Sequence, residues 1–321
     1  MNILVTGANG FVGRHLSKTL LERGYAVKGT VRSREKIISM PDAMDISIVG
    51  DISPTTDWRD VLKGIDVIVH LAARVHVMTE TSDNPLQAFR HVNTVGTERL
   101  AMQAGAAGVK RIVYLSTIKV NGEKTIDKPF TENDSPAPDD PYSVSKWEAE
   151  QSIRRIAEQT GLEYAIIRPT LVYGTGVKGN FLMLMKLINK GVPLPLSGIR
   201  NKRSLIYLGN LTDAIMKCIS HPSAANKTFL VSDGEDLSTP ELIRRMANAF
   251  GRPARLFYFP PAFLRLGGAI ARRTNAVRRL ADSLTVDSSK IRNELDWSPP
   301  FTLNQGLNST IDWFKNSESG L

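Results

Sequence analysis

The sequence predicts an α/β protein: a doubly wound parallel sheet followed by a smaller C-terminal lobe. Three observations carry that prediction. Short β-branched runs alternate with helical patterns through the first half, which implies a parallel sheet covered by helices on both faces. A glycine-rich turn, TGANGFVG, stands between the first such run and the first helical pattern. After about Val172 the alternation gives way to Pro-rich extended segments and separate helices. The 321 residues, 42% of them hydrophobic, suffice for a large core.

In chain order the strands are expected at Asn2–Thr6, Ala26–Val31, Ile46–Gly50, Val67–His70, Arg111–Ser116 and Tyr164–Ile167. Helices fall between them at Phe11–Arg23 and Leu86–Ala107, with right-handed crossovers. The second half begins with a helix in GNFLMLMKLINKG that ends at Gly191, then the extended VPLPLSG. Further helices are expected at Leu211–Ser220, Thr239–Phe250 and Leu303–Lys315. Residues 1–172 read as a dinucleotide-binding domain. Residues 173–321 read mainly as a substrate-binding lobe, with some segments returning to the first domain.

Composition narrows the function. No apolar run reaches the roughly 18–20 residues that span a bilayer. The opening MNILVTG already reads as a buried strand, so no secretory leader is expected. Cys218 is the only cysteine, which excludes an intrachain disulfide and suits a cytoplasmic protein. The net charge of +9 raises nucleic acid as a partner, but the basic residues are scattered and no nucleic-acid motif or zinc-ligand spacing occurs. The expectation is no nucleic acid partner and no metal. The apolar, basic stretch Pro260–Leu280 has two readings, contact with an anionic membrane surface or a lobe helix with a substrate-facing loop, and the second is preferred.

The turn carries the first chemistry. Gly7 permits the tight bend, Gly10 lets the backbone approach a pyrophosphate, and Gly13 allows close helix–strand packing. Asn9, Phe11 and Val12 share that cradle. The context of strand, turn and helix is the one the motif requires, which makes the domain Rossmann-like. Asp51 and Ile52 in GDI, and Leu71, Ala72 and Ala73 in HLAA, end the third and fourth strands at the cofactor's edge. His70 reads as a satisfied structural histidine. At the end of the second strand, VKGTVRSREK offers Arg32 and Arg34 where NAD-binding domains usually place an acid. That favours NADP(H), the arginines clamping a 2′-phosphate. The alternative is NAD(H) held through backbone contacts, with both arginines solvated.

The second chemistry lies in PYSVSK. Tyr142 and Lys146 are four apart, hence on one helix face, and an ammonium beside a phenol lowers the phenol's pKa. Such a pair can move a proton to or from a sugar hydroxyl. Ser116 and Thr117 follow the fifth strand at the sheet edge where open α/β folds bind ligands. Asn93, in the preceding helix, is a further candidate that also has local backbone within reach.

Together TGANGFVG, GDI, HLAA, NTVGT, LSTIKVNG, PYSVSK and IIRPTLVYG resemble the extended short-chain dehydrogenase/reductase superfamily. The branch is that of the nucleotide-sugar C4 epimerases, dehydratases and 4-ketoreductases, of the type found in O-antigen clusters. The resemblance implies Tyr142 as acid/base, Lys146 on the nicotinamide ribose, and Thr117 on the substrate's C4 oxygen. Asn93 joins the cofactor contacts. Asn121 stands in the sugar pocket where the family commonly has Tyr. Asn180, Arg203, Arg279 (over its neighbour Arg278) and Asp282 fall where relatives hold the nucleotide diphosphate and ribose. Leu284 stands where access for a 2-substituent is controlled, with core packing as its other reading. Ile118 and Lys119 replace the Asp–Glu pair of the 4,6-dehydratases, which argues against that reaction.

The implied function is an NAD(P)-dependent nucleotide-sugar C4 oxidoreductase acting on a UDP-sugar. The preferred form is a reductase of a UDP-4-keto-6-deoxy-2-acetamido-hexose, because an enzyme that prefers NADPH consumes it. The alternative is a UDP-glucose or UDP-N-acetylglucosamine 4-epimerase with retained NAD. A non-catalytic NAD(P) sensor or RNA-binding protein is the reading from another class. The resemblance also implies a homodimer through the helices Leu86–Ala107 and Tyr142–Gln159.

Overall fold

The computed structural model describes residues 1–41, 43–75, 83–260, 262–263, 278 and 280–318. The main sheet comprises β1 (Asn2–Thr6), β2 (Ala26–Val31), β3 (Asp45–Ile48), β4 (Val67–His70), β5 (Arg111–Leu115), β6 (Glu163–Pro169) and β9 (Lys227–Val231). All pair in parallel, in the order β3-β2-β1-β4-β5-β6-β9. A second sheet holds β10 (Asp236–Leu237), β8 (Arg203–Tyr207) and β7 (Leu171–Tyr173), in that order.

Successive side chains of a strand point to opposite faces, and here both faces are core. Ile3, Val5, Val69, Val113 and Ile167 meet Leu16 and Leu20 of α1 (Phe11–Glu22) and Leu211 and Ile215 of α6 (Leu208–Ser220). Leu4, Ile68, Ile112 and Ile166 face the other way, onto Leu100 of α3 (Gly96–Ala106) and Ile153 of α4 (Pro141–Thr160). This is why the strands read as unbroken apolar runs. The lobe has its own core, where Phe181 and Met185 of α5 (Gly179–Asn189) and Met246 and Phe250 of α7 (Thr239–Phe250) pack together. Ile311 and Phe314 of α9 (Leu303–Glu318) complete it. The short α8 (Ser289–Leu295) sends Ile291 and Leu295 back to the main core.

Two features were not placed by the sequence reading. The segment Lys227–Val231, not read as a strand, forms β9, pairs with β6 and extends the main sheet, one second-half segment returning to the first. The helix expected over 86–107 is broken. Short α2 (Pro85–Phe89) leads into a π-helical turn, Arg90–Val95, and only then into α3. The widened turn holds Asn93 inward, 1% exposed, and such turns concentrate at functional sites.

Candidate active site

After β3 the chain crosses back to place β4 on the other side of β1, so the crevice between their C-terminal ends is the sheet's switch point. Gly7 takes φ +66°, and a Cβ there would lie 2.9 Å from the backbone of Ala72. A Cβ on Gly13 would come within 2.2 Å of the Gly7 carbonyl oxygen. A Cβ on Gly10 would meet only that same oxygen, at 3.1 Å, so its other side is open. Gly10 is also the N-cap of α1. It supplies no side-chain cap, and the first turn has no acid. The first amides of α1 are thus left for an anion, which fits the pyrophosphate of a dinucleotide. Phe11 reaches out of this turn into the lobe core, while Val12 packs on the main core.

Thr6 ties the two crevice walls together. Its hydroxyl accepts from the amides of Leu71 and Ala72, both at 3.2 Å, and bonds His70 Nδ1 at 2.6 Å. His70 Nε2 bonds the Thr97 hydroxyl at 2.9 Å, so both ring nitrogens are engaged. Burial, with the Lys146 charge adding to it, pulls the His70 pKa down to about 3. Below pH 6.5 the unfolded chain takes up a proton that the fold refuses, so stability should fall towards pH 3 by about 1.4 kcal/mol per unit from this group. Urea midpoints of the wild type and His70→Gln should therefore converge on acidification from pH 7 to 5. A constant gap would show that His70 does not stay neutral.

At the cofactor's outer edge Arg32 Nε lies 2.6 Å from Asp51 Oδ1, with both side chains more than 70% exposed. The arginine is already matched by a carboxylate. Arg34 opens a 3₁₀ turn, Arg34–Ser39, and is exposed. Ile52 is 9% exposed and lies against Gly96 at the head of α3, so its side chain belongs to the core.

Helix α4 is started by a capping box. Asp140 Oδ1 accepts from the Ser143 amide at 2.6 Å, and the Ser143 hydroxyl lies 3.1 Å from the Asp140 amide. Pro141 occupies the first turn, where it costs no hydrogen bond. This start presents Tyr142 and, one turn later, Lys146. Lys119 fastens the cap to the loop after β5, its Nζ 2.5 Å from both Asp140 and Glu123. In that loop Thr117 caps the 3₁₀ turn Ile118–Val120 and stays partly exposed. Phe89 packs edge-on against the Tyr142 ring at 6.1 Å.

Lys146 is 2% exposed, with Nζ 4.0 Å from the centre of the Tyr114 ring. Burial pulls its pKa down to about 7, opposed by the Glu150 carboxylate. Burial, and then the charge of Asp140, push the Tyr142 phenol above its ordinary range. This differs from the depression of the phenol expected from an ammonium one turn away: burial dominates at Tyr142, and the Asp140 charge adds to it.

Several expected site residues are committed elsewhere. Ser116 donates to Glu150 Oε1 at 2.5 Å. Glu150 is also gripped by Arg168, through Nε at 2.9 Å and Nη2 at 2.6 Å. Arg168 Nη1 donates to Asn121 Oδ1 at 2.8 Å, and Asn121 Nδ2 donates to the Thr131 carbonyl at 2.9 Å. All four of these side chains are at most 4% exposed. The polar side-chain atoms of Ser116, expected as catalytic, and of Asn121, expected in the sugar pocket, are thus engaged in a buried network beneath the loop after β5. Asn93 accepts from the Arg74 amide and donates to its carbonyl and to Ser145 Oγ, which locks the segment after HLAA onto α4. Leu284 is 5% exposed and clusters with Ile118, Leu230 and Val286, so core packing is its role.

In the lobe, Arg203 donates to the Asp282 carbonyl at 3.1 Å, so two of the expected diphosphate residues adjoin. Asn180 is exposed in the first turn of α5. Arg278 is exposed, and Arg279 lies outside the described residues. Sequence reasoning missed Glu150, Arg168, Tyr114 and the Lys119–Asp140 link.

The chain matches the model of the NAD dependent epimerase/dehydratase family over residues 3–232. It is 46% identical over 316 residues to the UDP-glucose 4-epimerase of Vibrio cholerae, covering 98% of this chain and 95% of that protein. Among solved structures, MoeE5 in complex with UDP-glucuronic acid and NAD is 26% identical, covers 99% of this chain and all of that one, and superposes with a TM-score of 0.77. The UDP-glucuronic acid 4-epimerase of Bacillus cereus in complex with NAD, 23% identical with 99% of each chain covered, gives a TM-score of 0.81 and attests the fold.

The NADP(H) preference read from Arg32 and Arg34 is thereby corrected. The similar structures hold NAD. In this structure Asp51, from the neighbouring strand's end, pairs with Arg32, so that arginine does not stand as an unmatched cation awaiting a 2′-phosphate. An exposed pair of this kind contributes about 0–1 kcal/mol. Arg32→Ser should accordingly change NAD affinity by less than about fivefold, read by fluorescence titration; a larger loss would place Arg32 on the cofactor. From the glycine cradle, the Tyr142/Lys146 pair and the match over two-thirds of its length, the chain belongs to the NAD-dependent epimerase/dehydratase family.

Proposed function

We propose that this protein is a UDP-hexose 4-epimerase that keeps its NAD through the catalytic cycle. The observation that carries this reading is the 46% identity, over 98% of the chain, to a UDP-glucose 4-epimerase. The competing reductase reading drew on a preference for NADPH, and the NAD held by similar structures weighs against that preference. NAD, when bound, supplies the hydride exchange at C4 of the sugar. The glycine turn and the open amides of α1 hold its pyrophosphate. Tyr142 takes the proton of the C4 hydroxyl and returns it to the opposite epimer, with Thr117 steadying the C4 oxygen. Lys146 lies one helical turn from Tyr142 on the same helix face; its charge favours the phenolate during transfer. Arg203, Asp282 and Asn180 bind the nucleotide diphosphate. A second copy packs along the outer face of α3, the π turn before it and α4, where Met102 of α3 and Val95 of the turn are 51% and 39% exposed.

The test incubates purified protein with UDP-glucose and UDP-N-acetylglucosamine, and separately with a UDP-4-keto-6-deoxy sugar plus NADH or NADPH. Interconversion of a 4-epimer pair without added cofactor and without net oxidation supports the proposal. Stoichiometric consumption of reduced cofactor by the keto sugar, with no epimer interconversion, overturns it in favour of the reductase.

A further inference from the structure

Residues 164–212 and 242–281 contain no aspartate or glutamate, yet carry sixteen of the chain's 41 lysines and arginines. The remainder of the chain is therefore net acidic, and its positive charge is concentrated in these two stretches. The fold brings parts of both together on one side of the lobe. The Leu194 amide donates to the Arg255 carbonyl at 2.8 Å, Phe257 to Leu194 at 3.1 Å, and Ser197 to Phe257 at 3.2 Å. Arg252 and Arg255 donate to the Asn189 and Gly191 carbonyls at the end of α5. A carbonyl partner satisfies hydrogen bonds without cancelling the charge.

The same seam exposes a run of aromatic surface. Phe257, Tyr258 and Phe259 are consecutive and 46%, 69% and 38% exposed; Phe263, 60% exposed, stacks edge-on to Phe259 at 6.2 Å. Tyr258 lies over Gly198, and Val192, 38% exposed, is on the facing segment. Large adjoining apolar side chains on a surface mark an interaction site, and here the rim is Lys190, Arg200, Arg252 and Arg255, all exposed. Aromatic rings suit the layer between lipid headgroups and acyl chains, and arginines suit the lipid phosphates. No helix among the described residues is long and apolar enough to cross a membrane, so contact of this kind would lie along the surface.

We propose that this face of the lobe docks the enzyme on an anionic phospholipid bilayer. The aromatic run enters the interfacial layer and the arginine rim meets the phosphates. Full-length protein should co-sediment with vesicles of phosphatidylcholine and phosphatidylglycerol at least about tenfold more strongly than with phosphatidylcholine alone, and salt should weaken the binding. Phe257→Ser with Tyr258→Ser should weaken vesicle binding by about tenfold or more while circular dichroism and turnover of a soluble sugar nucleotide are unchanged, and Phe263→Ser, read by vesicle binding alone, should weaken it likewise. Absence of vesicle binding overturns the proposal, as does binding that the serine variants leave intact. A serine variant that lowers the oligomeric state assigns the patch to a second copy instead. Retention of an RNA oligonucleotide that depends on Tyr258, without vesicle binding, assigns it to nucleic acid.

Discussion

Tyr142→Phe is expected to reduce turnover by about 10²–10⁴-fold, the range that a positioned general acid/base contributes. The loss corresponds to about 3–5 kcal/mol of transition-state stabilisation. The substitution removes one oxygen and keeps the ring, which Phe89 supports edge-on at 6.1 Å. The capping box that starts α4 uses Asp140 and Ser143 and does not involve the phenol. Fold and helix position should therefore persist, and NAD content, read by absorbance after denaturation, should match the wild type. Turnover should fall in kcat with little change in KM, because the interaction lost is made during proton transfer. Near-wild-type kcat would remove Tyr142 from the chemistry. A protein that loses NAD along with activity would mean that the phenol holds the cofactor and leave its role as a base unsupported.

The apolar strands were legible because each is buried on both faces: the expected bounds of β1, β2 and β4 are those observed. Strand β9 was not legible, because its five residues become a strand only by pairing with β6, some sixty residues earlier. The π turn was equally hidden, since its inward residue, Asn93, bonds the backbone of Arg74, nineteen residues away in the chain. Within the site, the Tyr142/Lys146 spacing is local and could be read directly. The Arg32–Asp51 pair was readable in principle. The two residues lie just beyond the ends of β2 and β3, which are neighbours, so opposite charges there should have been matched before a ligand was invoked. The internal partners of Asn121 and Ser116 were hidden for the opposite reason. Arg168 is 47 residues from Asn121, and Glu150 is 34 from Ser116. No local pattern shows that their polar atoms are already satisfied. One clue was present: Glu150 is four residues beyond Lys146 and eight beyond Tyr142, hence on the same helix face as that pair.

That inward carboxylate makes Glu150→Ala the substitution with the largest expected effect on stability. Glu150 and Arg168 are 0% and 3% exposed at their side chains and joined by two hydrogen bonds. Removing the carboxylate leaves a buried guanidinium uncompensated and should cost about 3–5 kcal/mol. Ser116 loses its acceptor in the same step, and the strand end that leads into Thr117 loses its tie to α4. Replacing both partners by apolar residues, Glu150→Leu with Arg168→Met, removes the charge as well as its match. It should therefore be less destabilising than Glu150→Ala alone, a non-additivity expected of a directly coupled pair. Urea unfolding of the wild type and both variants decides this. The network also reaches the chemistry. Glu150 opposes the burial that brings Lys146 to about 7, so without it the Lys146 pKa should fall further. The titration of Lys146, followed by NMR in the milder Glu150→Gln variant, should move to lower pH. If Lys146 titrated unchanged while stability fell as expected, Glu150 would be a purely structural support. If both moved, the ion pair beneath the loop would be setting the protonation state of Lys146 as well as the position of its helix.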